Sequence, residues 1–304
     1  MQRRLLIAVI VGGGLVLGTG LIVWAGTQGL FGPHGKSRHL LSVAQRQMQQ
    51  GQLDSARVSL EQLITTFPDS PHADEALLAL GRVYEEQNQL VQARNVYRLF
   101  LEKFQGSSLT GQAQSKLGAL NVSLLFSPTI TDSDEVYEVK PGDTLRGIAA
   151  AHHTTIELIK RMNGLTSDVI RTQQELKVPK AHFSIVVDKS ENQLLLTADN
   201  QFFKSYTVAT GQNNSTPVGT FKIVNKVVNP IWYHQGAAVP PDSPDNILGT
   251  RWMGLDKPSY GIHGSVDPTA MGQQVTAGCV RMTNPEVEEL FAISPVGTEV
   301  TIVD

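Results

Sequence analysis

The sequence predicts a multidomain chain: an N-terminal transmembrane helix, an α-helical repeat region, a small βααβ module and a β-rich C-terminal domain. Three observations predict this order. A charge-free run of 20 residues lies near the N-terminus, a helical pattern then repeats at an offset of 37 residues, and short apolar or alternating runs follow from His182. At 304 residues, the chain is long enough for two or three domains.

The composition argues against a nucleic-acid partner, an intrachain disulfide and a metal site. The net charge is −3, with 25 Lys and Arg against 28 Asp and Glu, so no basic excess indicates a nucleic-acid partner. The single cysteine excludes an intrachain disulfide. His152 and His153 are adjacent in a predicted helix and point to different faces, so they do not form a metal site. We expect neither a metal nor another cofactor.

Residues 1–25 are predicted to anchor the protein in the membrane. Arg3 and Arg4 precede the uncharged run from Leu5 to Trp24, which as a helix is long enough to cross a hydrocarbon core of about 30 Å. The arginines place the N-terminus in the cytoplasm, and Trp24 suits the far interface. A cleaved signal peptide is the alternative, although no small-x-small site follows a short apolar core. Under either interpretation, the rest of the chain is exported from the cytoplasm.

Residues 37–119 are predicted to be helical, and they contain an internal repeat. The offset of 37 residues aligns four sets of positions: Gln52-Leu53 with Gln89-Leu90, Ala56-Arg57 with Ala93-Arg94, Phe67 with Phe104, and Ser70 with Ser107. This region resembles tetratricopeptide repeats, whose usual period is 34 residues. Two units are few for an independent solenoid. Two interpretations therefore stay open: a spacer for the catalytic domain, or a groove for a protein partner.

Residues 136–180 are predicted to form a separate module. Pro141-Gly142 indicates a turn, Asp143 or Thr144 can cap a first helix, and a second helix ends at Asn163-Gly164 before a return strand over residues 176–179. This pattern resembles the LysM domain, a βααβ module that binds glycans containing N-acetylglucosamine, such as peptidoglycan. The resemblance implies glycan contacts near the turn and the second helix, at Gly142, Asp143, Thr144, Leu145 and Asn163. Leu145 also fits a core position.

Residues 182–304 are predicted to form a β-rich domain. Apolar or alternating runs at residues 184–188, 193–198, 202–208, 221–224 and 300–303 are separated by turn residues. Residues 229–257 interrupt this pattern with several prolines and two tryptophans. Such a long segment is typical of a loop that covers a substrate. A rigid surface loop with its tryptophans packed on the sheet is the equal alternative.

The chemistry is predicted to lie in residues 260–282. Cys279 follows Gly278, and His263 lies 279 − 263 = 16 residues upstream in the run Gly261-Ile262-His263-Gly264-Ser265. A thiol becomes a strong nucleophile when a nearby imidazole takes its proton. Gly278 allows the backbone to approach a substrate, and N–H groups around the cysteine can stabilise an oxyanion.

This segment resembles the active-site motif of the L,D-transpeptidases with a YkuD-type domain, in which His-Gly precedes Gly-Cys-apolar-Arg/Asn. The match extends to residues 216–221, 284–285, 296–298 and 300–302, and it implies a β-rich sandwich. The family commonly has Ser/Thr-His-Gly-Cys, whereas this chain has Thr276-Ala277-Gly278-Cys279. His263 is then the only histidine of the motif left to act as the base.

The resemblance implies an acyl transfer on peptidoglycan. Cys279 attacks a tetrapeptide stem, releases D-Ala and passes the acyl group to another stem, giving a 3→3 cross-link. His263 is the general base, the Gly264 carbonyl orients it, and the N–H groups of Gly278 and Cys279 are candidates for the oxyanion site. Candidate substrate-binding residues are Arg281, on the same strand face as Cys279, and two residues that flank the His-Gly element, Tyr260 and Ser265.

Three alternatives share these residues or the wall-binding module. The acyl group can pass to water, as in an L,D-carboxypeptidase, or to a protein amine that is thereby attached to the wall. A non-catalytic wall-binding scaffold is the third, which the loss of the second histidine at Ala277 keeps open. Together with the N-terminal segment, the resemblance predicts a single-pass inner-membrane protein of the bacterial cell envelope, with its catalytic domain outside the cytoplasm.

Overall fold

The computed structural model describes residues 32–234 and 236–304. The predicted anchor, residues 1–25, lies outside these residues. Within them, no helix is both long enough and apolar enough to cross a membrane. The longest, α1 (Pro33–Gln49), has 17 residues and carries charged side chains, whereas a membrane span needs about 20 apolar residues. This finding corrects the predicted location as a single-pass membrane protein.

Helices make up the first part of the described chain: α1, α2 (Leu53–Thr66), α3 (Ala73–Glu86), α4 (Leu90–Lys103) and α5 (Thr110–Leu125). Helices α2 and α4 begin and end 37 residues apart, as the repeat offset predicts. Gly81 on α3 lies against the ring of Tyr97 on α4, where an added Cβ would lie 2.4 Å from a ring carbon. Helix α5 extends beyond the predicted limit at residue 119, because its last residue, Leu125, is buried against the C-terminal domain.

The next module has the predicted βααβ order, with β1 (Asp134–Glu138), α6 (Leu145–Ala151), α7 (Ile156–Asn163) and β2 (Glu175–Pro179). Its two strands pair in antiparallel orientation. The hydroxyls of Thr144 and Thr155 cap α6 and α7 by accepting N–H groups of the first turn at 3.1 and 2.8 Å. Gly164, with φ +62°, ends α7 in the left-handed conformation that glycine adopts readily. These caps set the length of each helix.

The C-terminal domain is β-rich, as predicted. Its elements are β3 (Phe183–Asp188), β4 (Gln193–Ala198), β5 (Gln201–Thr207), β6 (Thr210–Gly211), β7 (Gly219–Val228), β8 (Trp232–His234), β9 (Ala237–Val239), β10 (Arg251–Leu255), β11 (Gly261–His263), β12 (Gln274–Thr276), β13 (Val280–Arg281), α8 (Asn284–Ile293) and β14 (Glu299–Val303). Eight strands form a mixed sheet in the order β13-β11-β10-β7-β14-β3-β4-β5. Strand β7 pairs with β14 through its first half and with β10 through its second. Both halves of the sheet and α8 contribute to one core.

The three regions contact one another through buried side chains. Leu158 and Met162 of α7, both 0% exposed, lie in the core of the C-terminal domain and not in the core of their own module. The buried ammonium of Lys177 on β2 donates to two carbonyls at the end of α5, at 2.8 and 2.9 Å. The amide of Asn121 on α5 donates to the Phe203 carbonyl of β5 at 2.8 Å. The catalytic domain is thus packed against both preceding regions.

Candidate active site

Three neighbouring strands at one end of the sheet carry a row of side chains. Trp252 on β10 lies opposite His263 on β11, and His263 lies opposite Arg281 on β13. Cys279 lies in the turn immediately before β13, which contains only Val280 and Arg281, so the predicted shared strand face does not apply to it. All four line one cavity of about 870 Å³. The structure therefore brings together the predicted nucleophile, base and substrate-binding cation.

The Cys279 thiol is half-buried, and its Sγ lies 3.6 Å from the carbonyl oxygen of Ser259. Burial raises the pKa of this thiol above its ordinary value, while the N–H of Gly261 and the charge of Arg281 oppose the rise. Because the pKa is raised overall, the thiol is protonated at neutral pH. It needs a base before it can attack.

The His263 imidazole is only 2% exposed, and its Nδ1 lies 2.7 Å from the carbonyl oxygen of Gly264. A carbonyl only accepts hydrogen bonds, so Nδ1 carries the hydrogen and Nε2 keeps its lone pair. Burial lowers the imidazole pKa to about 4; the Gly264 carbonyl opposes this shift and the charge of Arg281 adds to it. The resting pair is thus a neutral imidazole and a neutral thiol, and the imidazole is able to accept a proton.

Gly264 is required by packing as well as by its carbonyl. A Cβ at this position would lie 2.3 Å from Oδ1 of Asn284, the same oxygen that accepts the N–H of Thr250 at 3.1 Å. Any side chain at residue 264 would therefore displace the first residue of α8. This close approach explains the glycine of the His-Gly pair.

Thr276 organises the turn before Cys279. Its hydroxyl accepts the N–H of Gly278 at 3.1 Å and donates to the carbonyl of Cys279 at 2.7 Å. The Gly278 N–H, predicted as an oxyanion donor, is therefore engaged within the turn. The N–H of Cys279 has no acceptor among the residues that the structure describes, which leaves it available to a substrate oxygen. Thr276 is not among the functional residues predicted from the sequence, although a hydroxyl residue two positions before a glycine is a known turn signal.

Two predicted substrate-binding residues lie outside the cavity lining. The ring of Tyr260 packs behind the cysteine turn, where a Cβ on Gly278, with φ +133°, would lie 2.7 Å from it. The hydroxyl of Ser265 accepts the N–H of Asp267 at 3.1 Å in a local turn. Neither residue lines the cavity that contains Cys279, and substrate contact at these two positions stays a prediction.

Among the described residues that line this cavity, Arg281 is the only permanently charged side chain and none is a carboxylate. Its Nε is buried without a hydrogen-bond partner in the described structure. The methyl group of Ala277 lines the cavity where the family commonly has histidine. In residues 32–234 and 236–304, no group of three or more His, Cys, Asp or Glu side chains is placed to hold a metal ion.

The segment over residues 229–257 forms an apolar wall of the cavity, with lining residues that include Ile231, Trp232, Tyr233, Ile247 and Leu248. Strands β8 and β9 form a hairpin within it. The amide of Asn246, 2% exposed, donates to the carbonyls of Pro230, Val239 and Pro240 at 2.9–3.2 Å. The segment therefore lines the cavity and is held by internal hydrogen bonds. That it covers a substrate stays a prediction.

The predicted glycan-binding residues have different environments. The Asn163 amide exchanges hydrogen bonds with the backbone of Lys177, 2.8 Å in each direction, so it joins α7 to β2. The carboxylate of Asp143 accepts hydrogen bonds from the Tyr137 hydroxyl on β1 and the Lys140 N–H in its own turn, both at 2.8 Å, and Thr144 caps α6. Gly142 is exposed, with φ +87°. Glycan contact at these positions stays a prediction.

Comparison with protein families gives three matches along the chain. Residues 182–302 match the L,D-transpeptidase catalytic domain, YkuD. Residues 137–179 match the LysM domain, and residues 47–117 match the tetratricopeptide repeat. The resemblances inferred from the sequence are confirmed for these three regions.

Individual relatives agree with the family matches. The protein named as the L,D-transpeptidase YkuD of Bacillus licheniformis is 34% identical over 175 residues, which are 55% of this chain and 98% of the relative. The YqjB protein of Bacillus subtilis, also named as an L,D-transpeptidase, is 41% identical over 126 residues, 40% of this chain and 70% of the relative.

Among solved structures, the catalytic domain of an Enterococcus faecium L,D-transpeptidase is similar, with 23% identity and a TM-score of 0.34 over 40% of this chain and 96% of that one. At this score the structural likeness carries no information on function. The Bacillus licheniformis relative, 34% identical and covered to 98% of its length, decides the assignment. The chain belongs to the L,D-transpeptidases with a YkuD-type catalytic domain.

Proposed function

We propose that Cys279 and His263 carry out a two-step acyl transfer between the peptide stems of peptidoglycan. The observation that carries this proposal is the pairing, in one cavity, of a protonated thiol with a neutral imidazole whose Nε2 is left unprotonated. An unprotonated Nε2 can take the thiol proton as the sulfur attacks.

The first step forms a thioester with a donor tetrapeptide. Sγ of Cys279 attacks the carbonyl that joins the L-centre of diaminopimelate to the terminal D-Ala, and the thiol proton moves to Nε2 of His263. The C–N bond then breaks, and His263 returns the proton to the departing amine of D-Ala. We assign the oxyanion to the N–H of Cys279, because the N–H of Gly278 is engaged with the Thr276 hydroxyl.

The second step transfers the acyl group. The side-chain amine of a second stem attacks the thioester and gives a proton to Nε2 of His263. The C–S bond breaks, and the sulfur takes that proton back as a thiol. The product is a 3→3 cross-link, and the enzyme returns to its neutral pair.

Arg281 is proposed to bind a carboxylate of the stem peptide. Within the part of the chain that the structure describes, its buried Nε has no hydrogen-bond partner and the cavity lining contains no acidic side chain that would compete for the guanidinium. A guanidinium in a largely apolar cavity gains most from a carboxylate, because a charge-assisted hydrogen bond is stronger where water is excluded.

The LysM module and the helical repeats indicate where the enzyme acts and how its catalytic domain is held. The LysM match supports binding to peptidoglycan glycan strands, and hence a role in the cell envelope. For the helical repeats, the spacer interpretation has the more direct support, since α5 packs on the edge strand β5 of the catalytic domain. A protein partner at the repeats stays an alternative.

Product analysis tests the proposed reaction. Purified protein is incubated with a disaccharide-tetrapeptide, and the products are identified by mass spectrometry. A cross-linked dimer with loss of one D-Ala supports the proposal. A tripeptide alone would indicate an L,D-carboxypeptidase, a stem linked to an added protein amine would indicate wall attachment, and unchanged substrate would indicate a scaffold.

A further inference from the structure

The indole of Trp252 stacks on the imidazole of His263, with ring centroids 5.9 Å apart and an angle of 23° between the planes. The two residues lie directly opposite each other in the β10–β11 ladder. Two glycines, Gly254 and Gly261, leave space for the indole on the face of the sheet that carries Trp252. A Cβ would lie 2.9 Å from the indole Nε1 at Gly254, and 2.7 Å from indole ring carbons at Gly261.

A hydrogen bond fixes the other edge of the indole. Its Nε1–H donates to Oδ1 of Asn225 at 3.1 Å, and Asn225 lies on β7 opposite Gly254. The indole is therefore held between the exposed amide of Asn225 and the buried imidazole, in a space that two glycines keep clear.

The stacked indole restricts the orientation of the imidazole plane, which the hydrogen bond to Gly264 does not fix. A single bond at Nδ1 holds one point of the imidazole but leaves its plane free to tilt. Stacking restricts the tilt and keeps water from one face of the ring. Among the described residues, the other titratable or charged side chains that line the cavity with His263 are Tyr233, Cys279 and Arg281.

We propose that Trp252 is a positioning residue, which holds the plane of the His263 imidazole and shields it from water so that it waits as a neutral base. This inference rests on the proposed role of His263. It assigns Trp252 no contact with the reacting atoms.

The test uses the full-length protein with Trp252→Ala, Trp252→Phe and Asn225→Ala. The pKa of His263 is measured by NMR of ¹⁵N-labelled histidine, with its signal assigned by comparison with His263→Gln. The pH dependence of acylation by a carbapenem is measured in parallel. In the wild type, we expect the imidazole and the acid limb of acylation to titrate together near a pKa of about 4.

In Trp252→Ala, both titrations should move upward by about one pH unit or more, toward the ordinary histidine value of about 6.5. Acylation at neutral pH should fall roughly 10- to 100-fold, the effect of a misplaced catalytic group. Trp252→Phe should keep the histidine titration and the acylation rate close to their wild-type values, because a phenyl ring also stacks on the imidazole. Asn225→Ala changes an exposed residue, so it tests the same idea with little risk to folding; it should give a smaller shift in the same direction.

An unmoved histidine titration in a folded Trp252→Ala or Asn225→Ala protein would overturn the inference, whatever the rate does, because simple packing predicts a loss of rate without a pKa change. The proposed function fails differently. If the titration follows Trp252 while acylation is unaffected by both Trp252→Ala and His263→Gln, the stacking is real but His263 is not the base.

Discussion

The hydroxyl of Thr276 lies 2.7 Å from the carbonyl oxygen of Cys279, so a side chain within the turn holds the nucleophile in place. The same hydroxyl accepts the N–H of Gly278 at 3.1 Å, and Thr276 is only 3% exposed. One oxygen thus satisfies two backbone groups in a turn where water has little access.

Replacing Thr276 by Val should release both groups without changing the shape of the side chain. We expect acylation by a carbapenem to slow by roughly 10- to 100-fold, because the thiol loses its fixed position. The free energy of unfolding should fall by about 1–3 kcal/mol, the cost of leaving a buried polar group unpaired. Thr276→Ser keeps the hydroxyl and serves as the control. A Val variant that is acylated at the wild-type rate would show that the turn does not depend on this hydroxyl.

His263 should make the fold sensitive to acid. Its pKa is about 4 in the folded protein and 6.5 ordinarily, so the unfolded chain binds this proton more readily. The stability that the neutral histidine contributes is complete above about pH 6.5 and is lost as the pH falls to about 4, a change on the order of 3 kcal/mol.

Denaturant unfolding at several pH values between 4 and 7 checks this expectation. His263→Gln carries no titrating group at this position, so its stability should decline less over the same interval. The difference between the two proteins isolates the histidine from the carboxylates, which both share. Parallel stability curves would mean that the imidazole is not buried in its neutral form.

The packing of α7 predicts that the LysM module supports the catalytic domain. Leu158 is 0% exposed in the core of that domain, so Leu158→Ala should cost about 2–5 kcal/mol there. Ile148→Ala is the matched control, since Ile148 is 3% exposed but lies in the core of the LysM module itself. Carbapenem acylation should be lost at a lower temperature in the Leu158 variant than in the control. Equal inactivation temperatures would contradict the shared core.

Asn163 offers a test of glycan contact against a structural role. Asn163→Asp removes the N–H donors that bond the carbonyls of Ile159 and Lys177 at 2.8 Å, so we expect the melting temperature of the full-length protein to fall. Below that temperature, the variant should sediment with purified peptidoglycan like the wild type. An unchanged melting temperature with lost sedimentation would instead assign Asn163 to the glycan site.

The sequence was sufficient to find the residues whose relationships are local. His263, Cys279 and Arg281 lie in a short motif, and the orienting carbonyl of Gly264 is next to the base in the chain. The 37-residue separation of α2 and α4 was predictable as well, because similar short patterns recur at that offset in the sequence.

Relationships between strands and between modules could not be predicted. The stacking of Trp252 on His263 depends on the register of β10 against β11, which the sequence pattern does not specify. The helical spacing of Leu158 and Met162 predicts that both are buried. It does not tell which core they enter, and the structure places them in the neighbouring domain.

The central claim is that Cys279 forms the acyl-enzyme, and peptide mapping by tandem mass spectrometry tests it most directly. Full-length wild type and Cys279→Ala are each incubated with a carbapenem and, separately, with a tetrapeptide stem, then digested in acid to preserve thioesters. We predict that the wild type carries one acyl group per chain, on the peptide containing Cys279, and that the folded Ala variant carries none. An adduct of the same mass on the Ala variant, or a wild-type adduct at another residue, would contradict the account.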